Sequence, residues 1–309
     1  MGRGRSFEVQ GCRSMTAIAT ARQRAPSWAG LNKRFIPYLL LLPAGALIGI
    51  LLVCSFAVVR MSVGARNSEW SVWSIAAYQQ LLRARYLAIV ADTIWMALLS
   101  AVIATLVAFP IALFMARTSS QAARRLALIA ILLPMIISLL VQSFGWMAIL
   151  GPAGLLNQAV AAITGGSWPI MLLFNRTGVI LGLVQTTVPL AVLPAVAALS
   201  TIPAALEEAA SVLGADRIRT YRHIILPIAM PGMVTGGILV FGFNTGAFAV
   251  PLLLGGLKVT TLAVVIRDQM GTLMNWPLGA ALSVVLVLLS LLFQSLNRIV
   301  IRDRGEASE

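Results

Sequence analysis

The chain has 309 residues, of which 59% are hydrophobic and only 11% charged, with 23 Lys and Arg against 10 Asp and Glu and a formal net charge of +13. A soluble nucleic-acid binder with that excess would carry ordinary numbers of acidic residues on a polar surface, so a basic soluble domain is excluded, and apolar runs of about 20 residues point to a membrane-embedded bundle. Cys12 and Cys54 have neither metal-ligand spacing nor the makings of a disulfide framework.

In chain order, residues 1–34 form a basic arm of low periodicity, read either as a disordered positive tail beside anionic lipid or as an interfacial helix. The first apolar run, Ile36 to Val59, exceeds the roughly 7–15-residue core of a secretory signal and has no Ala-x-Ala exit, so it is expected to stay as an anchor. Five further runs follow: Asp92 to Ala116, Leu126 to Gly151, Gly178 to Ser200, Gly232 to Leu254 and Trp276 to Val300. Each is long enough for a hydrocarbon layer about 30 Å thick. None alternates polar with apolar residues, and only helices or closed barrels satisfy their backbone in lipid, so the expected fold is all-α with six transmembrane helices. Pro43, Pro110, Pro134, Pro189, Pro194 and Pro251 lie inside these runs and predict kinks, because neighbouring helices can satisfy the freed carbonyls.

Charge sets the orientation. With both termini on one side, that side receives Arg3, Arg5, Arg13, Arg22, Arg24, Lys33, Arg34, Arg117, Arg124, Arg125, Arg217, Arg219, Arg222, Arg298, Arg302 and Arg304, 16 of the 23 basic residues. The other side holds Arg60, Arg66, Arg83, Arg85, Arg176, Lys258 and Arg267. The positive-inside rule therefore places both termini in the cytoplasm.

The cytoplasmic loop after the fourth run, TIPAALEEAASVLGADRIRTYRHIILPIAMPG from Thr201 to Gly232, differs from an ordinary connection. Thr201, Pro203 and the acidic pair Glu207 and Glu208 fit a helix start, in which carboxylates face the positive end of the dipole. Ala204 to Leu213 continues as good helix former, and Gly214 stands where a helix end favours positive φ. Asp216 restarts a second short helix towards Leu226-Pro227, and Pro231-Gly232 marks re-entry into the bilayer. The expected product is a helix, turn, helix elbow.

Glu208-Ala209-Ala210, three residues, Gly214, nine residues, Ile224, one residue and Leu226-Pro227 resemble, position for position, the EAA loop of permease subunits of binding-protein-dependent ABC importers. The resemblance implies the type I (MetI-like) permease architecture, with residues 1–34 as an arm, 35–300 as the six-span domain, 201–231 as its coupling loop and 301–309 as a cytoplasmic tail. It also implies that the elbow, through Glu208, Ala209, Ala210, Gly214, Ile224, Leu226 and Pro227, seats in a cleft of a cytosolic ATPase subunit. The implied partners are two such ATPases, a second permease alike or different, and a soluble solute-binding protein on the outer face, in an inner membrane whose lipids surround the spans. The chemistry suits docking: Ala209, Ala210 and Gly214 allow close approach, and Glu208 can accept charge-assisted hydrogen bonds. For Arg217, Arg219 and Arg222, lipid-headgroup anchoring competes with partner contact. No cofactor, metal, catalytic residue or nucleic-acid partner is implied, and no Gly-x-x-x-x-Gly-Lys-Ser/Thr run supplies a nucleotide site, so ATP hydrolysis would belong to the partner.

Leu254-Gly255-Gly256 with Lys258, and Asn275-Trp276-Pro277-Leu278-Gly279-Ala280-Ala281, are similar to spermidine/putrescine-type permeases over residues 35 to 300, although the basic arm is longer than the short N-termini of that group. Polyamine is the expected substrate, with an opine, an amino-acid-like compound or ferric iron as alternatives. Polar residues within the spans mark a candidate pathway: Gln142, Gln185, Thr186, Asn244 and Thr245, with Ser143, Thr187, Trp146 and Phe243 beside them. At 1.5 Å per residue, Gln185 lies roughly 10 Å from the outer end of its span and Asn244 roughly 18 Å from the inner end of its own. Bridging of packed helices is the competing role for each, and Gly45-x-x-x-Gly49 and Gly232 to Gly237 read as close helix packing. Asp92 and Asp268 lie near the outer edge, so a second permease would have to supply counter-charge for a cation. An intramembrane enzyme lacks a nucleophile and base, His223 being the single histidine, and an ion-coupled secondary transporter lacks paired repeats and intramembrane ionisable groups.

Overall fold

The structure, a computed structural model, describes residues 36–65, 72–164 and 171–306, with side chains over 41–65, 72–164 and 171–295. The basic arm, Arg66 and the last three residues of the tail lie outside them. The chain divides into two units, Met1–Phe56 and Ala57–Glu309.

The described part of the first unit belongs to α1 (Ile36–Ser62), which runs on into the second. Leu47, Leu51 and Phe56 are exposed, and a Cβ added at Gly45 or Gly49 would meet nothing within 4 Å.

The second unit is helical throughout its long elements. It comprises α2 (Ala76–Leu81), α3 (Ala84–Arg117), α4 (Gln121–Ile136), α5 (Leu139–Leu150), α6 (Leu155–Thr164), α7 (Arg176–Ser200), α8 (Ala205–Val212), α9 (Arg217–Thr220), α10 (Leu226–Thr245), α11 (Leu262–Arg267) and α12 (Trp276–Glu306). Among the described residues six helical stretches are long and apolar enough to cross a membrane: Leu41–Ser62, Ala84–Arg117, Leu139–Thr164, Arg176–Ser200, Arg217–Thr245 and Trp276–Ser295.

The centre is a three-helix core of α3, α7 and α10. In lipid there is no transfer of apolar surface out of water to drive association, so the helices gain by close packing, and small residues permit it. Ala97, Ala101, Ala104, Ala108 and Ala112 recur at steps of three and four, which lines them along one buried face of α3. On α10, a Cβ at Gly232 would stand 2.9 Å from the Pro194 carbonyl oxygen, and one at Gly236 would stand 2.9 Å from that of Ala191, so the α10 backbone rests directly on α7.

Two spans depart from their expected bounds. The single run from Leu126 to Gly151 is two helices, parted at Ile137 and Ser138, which both adopt ψ of 135°. Non-helical backbone at membrane depth requires that its carbonyls be satisfied. Here Gln142 does this, its Nε2 donating to the Pro134 oxygen and, at 2.9 Å, to that of Ile137. The crossing helix begins only after that break, at Leu139.

The fifth run does not re-enter at Pro231-Gly232. Helix continues from Arg217 through a π turn, Tyr221–Ile225, into α10, and it stops at Thr245 rather than Leu254. Leu226 N–H reaches back five residues to Tyr221, and this wider turn accommodates Pro227, which has no N–H for the ladder. Asn244 is consequently in the last turn of α10 instead of mid-span, and Pro251 opens a separate π turn, Pro251–Gly255, beyond it. The second span starts earlier than expected, at Ala84, and Asp92 within it pairs with Arg176 at 2.7 Å.

Candidate functional site

The elbow occupies residues 201–225 and joins α7 to α10. Thr201 stops α7 with its hydroxyl on the Ala198 carbonyl, and Pro203 and Ala204 lead into α8, whose first turn carries Glu207 and Glu208. The far end of α8 closes as a Schellman turn. Ala215 N–H donates to the Ala210 oxygen at 3.0 Å, Gly214 N–H donates to that of Ser211 at 3.0 Å, and Gly214 takes φ of 77°. Asp216 then caps α9, its carboxylate accepting from Arg217 N–H at 2.7 Å.

Both roots of the elbow are fixed. Ile202 and Ile225 are buried in the cluster that also holds Met115 of α3 and Leu199 of α7. Arg117, the last residue of α3, adds a polar tie: its Nη1 donates to the Ile202 carbonyl at 3.1 Å and its Nε lies 2.5 Å from Glu207 Oε1. The two neighbouring glutamates thus differ in placement, with Glu207 turned to α3 and Glu208 exposed.

Of the residues expected to dock, Glu208, Ala209, Gly214 and Pro227 are exposed, Ile224 and Leu226 are half-buried, and Ala210 is buried beneath the Schellman turn. What spacing did not single out is the apolar tip. Val212 and Leu213 are each 86% exposed and Ile218 is 74% exposed. These large apolar side chains are exposed on a segment that otherwise presents Glu208, Arg217 and Arg219 at its surface. The signal was present in the sequence, as Val212-Leu213 immediately before a turn glycine, where α8 has no helix left to bury them.

The candidate pathway residues fall into separate contacts. Gln142 belongs to the break between α4 and α5. Gln185 Oε1 accepts from Trp146 Nε1 at 3.1 Å, joining α7 to α5. Asn244 Nδ2 donates to Ser100 Oγ of α3 at 2.8 Å and lies 3.4 Å from Thr187 Oγ1 of α7, so one amide touches all three core helices. Asn244 is 4% exposed and its Oδ1 has no donor among the described residues. Thr186 and Thr245 turn their hydroxyls onto their own helices, to Gly182 and Leu183 and to Phe241 respectively. Ser100 was missed by sequence reasoning, since a lone serine among alanines has no pattern.

Neither Asp92 nor Asp268 is a free carboxylate; Asp268 pairs with Arg267 at 2.9 Å. No group of three His, Cys, Asp or Glu side chains suited to a metal occurs among the described residues. The downstream motif glycines serve packing. A Cβ at Gly256 would stand 2.7 Å from the Phe174 ring, and one at Gly279 would stand 2.3 Å from Met270 Cγ.

Six helical stretches are long and apolar enough to cross a membrane, α3, α7 and α10 form a small-residue core with the rooted elbow at one end, and residues 104–305 match the model of the family described as binding-protein-dependent transport system inner membrane component. The chain belongs to that family. Within it, the chain is 31% identical over 217 residues to the spermidine/putrescine transport system permease protein PotB of Escherichia coli, covering 70% of this chain and 78% of that one. It is 33% identical to the protein of the same description from Haemophilus influenzae, covering 70% and 75% respectively. In fold it is similar to a chain of a bacterial ABC transporter involved in the import of the acidic polysaccharide alginate, with a TM-score of 0.75 at 18% identity, over 89% of this chain and 98% of that chain. The chain is thus an all-α, multi-pass inner-membrane permease subunit of the type I ABC importer architecture.

Proposed function

We propose that this permease forms half of an import pathway for a small polyamine of the spermidine or putrescine kind, driven by a cytosolic ATPase that docks on the elbow. Both termini and the elbow face the cytoplasm, a second permease completes the pathway, and a binding protein on the outer face delivers the solute. The observation that carries the coupling role is the exposed tip of Val212, Leu213 and Ile218 beside Glu208, on an elbow rooted in the core by Ile202 and Ile225. An apolar tip with one carboxylate offers a partner cleft both burial and a charge-assisted hydrogen bond.

Similarity to the two relatives supports the polyamine reading. Asp92 and Asp268 are already paired, so counter-charge for an ammonium group comes from the second permease. The test is thermal stabilisation of the cognate binding protein across a solute panel, followed by uptake into proteoliposomes holding the complete importer. Spermidine or putrescine should stabilise the binding protein, and uptake should require ATP and withstand an uncoupler. Stabilisation by an opine, an amino-acid-like compound or ferric iron alone would overturn the substrate reading, and uptake that survives ATP depletion but collapses with an uncoupler would overturn the importer reading.

A further inference from the structure

The elbow is connected covalently to α7 and α10, but α3 reaches it only through side chains. At that junction stands Arg117, 22% exposed, facing Glu207, 26% exposed, across 2.5 Å, with its Nη1 on the Ile202 carbonyl. One guanidinium therefore donates a hydrogen bond to the entry of the elbow and makes a close ionic contact, outside hydrogen-bond alignment, with the first turn of α8. A planar fork can serve two acceptors in different directions at once, which a lysine ammonium on a flexible stem does less well.

The position of α3 gives that contact reach. Along its 34 residues, α3 meets the elbow at Arg117, the Asn244 amide at Ser100, and the segment after α10 at Thr93, whose Oγ1 accepts from Leu262 N–H at 2.9 Å. A continuous helix with discrete contacts at three depths, even one that carries Pro110 between the first two, can pass a displacement at one end to the others. Without the Arg117 contact, a push on α8 would reach α7 and α10 through the chain, and α3 only through apolar packing that can slip.

The geometry points to Arg117 and Glu207 as a strap that carries movement of the elbow into α3, with Arg117 a positioning residue for coupling. The inference rests on the elbow being the ATPase docking site. Two adjacent carboxylates then have different roles, Glu208 facing outward to the partner and Glu207 inward to the span.

The experiment reads ATP hydrolysed per solute accumulated in proteoliposomes holding the complete importer, together with the amount of ATPase subunit that co-purifies. Arg117→Ala should keep the ATPase bound yet raise the ratio about threefold or more. Glu207→Gln, which alters no bulk, should raise it in the same direction. Arg117→Lys should restore part of the loss, and the reversed pair, Arg117→Glu with Glu207→Arg, should restore more than either single change allows. A wild-type ratio in Arg117→Ala, or an equal fall of hydrolysis and uptake, would overturn the strap, because a merely structural role lowers both together. Leu213→Asp separates the two levels: retained ATPase binding in that variant would sink the docking reading itself, whereas lost binding alongside a normal ratio in Arg117→Ala would sink the strap alone.

Discussion

Asn244 Nδ2 donates to Ser100 Oγ across 2.8 Å, joining the last turn of α10 to the middle of α3 deep in the three-helix core. Hydrogen bonds between membrane helices average about 0.6 kcal/mol and reach about 1.7 kcal/mol. Asn244→Ala should therefore lower the unfolding free energy in detergent by about 1 kcal/mol, Ser100→Ala by a similar or smaller amount, and the double variant by less than the sum of the two. Strict additivity in denaturant titrations would show that the contact contributes nothing to holding α10 on α3.

Gly236 should tolerate no side chain of size. Its Cβ would meet the Ala191 carbonyl oxygen at 2.9 Å and the Ala191 Cα at 3.0 Å, both backbone atoms that cannot swing aside. Gly236→Val is expected to push α10 off α7 and to cost about 1–3 kcal/mol. A Gly236→Val protein that melts as wild type would contradict the close seating of the two helices.

Gly214 presents the opposite case. A Cβ there meets nothing within 4 Å, but φ of 77° is left-handed backbone, so the cost of substitution is conformational. Gly214→Val should strain the Schellman turn by about 1–2 kcal/mol, while Gly214→Asn, which visits that region more readily, should cost less. Since the strain is confined to the elbow, membrane insertion should stay intact and solute accumulated per ATP should fall in the order wild type, Asn, Val. Equal uptake per ATP in all three would show that the turn does not set the aim of α8.

The contrast between those glycines also marks how far the sequence carried. Composition and apolar run length were enough for six helices, because a span must be long and apolar whatever it packs against. The elbow was legible for local reasons: Glu207 and Glu208 at a helix start, Gly214 at its end and Asp216 at the next start are short-range signals. The break at Ile137 and Ser138 was not, because Pro134 alone predicts a kink, and the parting depends on Gln142 folding back onto two carbonyls. Pro227 and Pro231 misled in the other direction, since a π turn precedes Pro227 and α10 runs on through Pro231 where a stop was expected. The Arg117 to Glu207 contact joins residues 90 positions apart, and Arg117 on its own reads as one more positive charge at a span end.

The most direct test of the elbow as the seat of coupling is co-purification of the ATPase subunit with permease carrying Val212→Asp, Leu213→Asp and Glu208→Lys, singly and combined. Each position is exposed, so the fold itself should melt within about 0.5 kcal/mol of wild type. The expected result is permease inserted at normal levels, ATPase progressively lost from the complex, and ATP-driven uptake lost with it. A combined variant that retains a full complement of ATPase and wild-type uptake would contradict the assignment of residues 201–225 as the docking element.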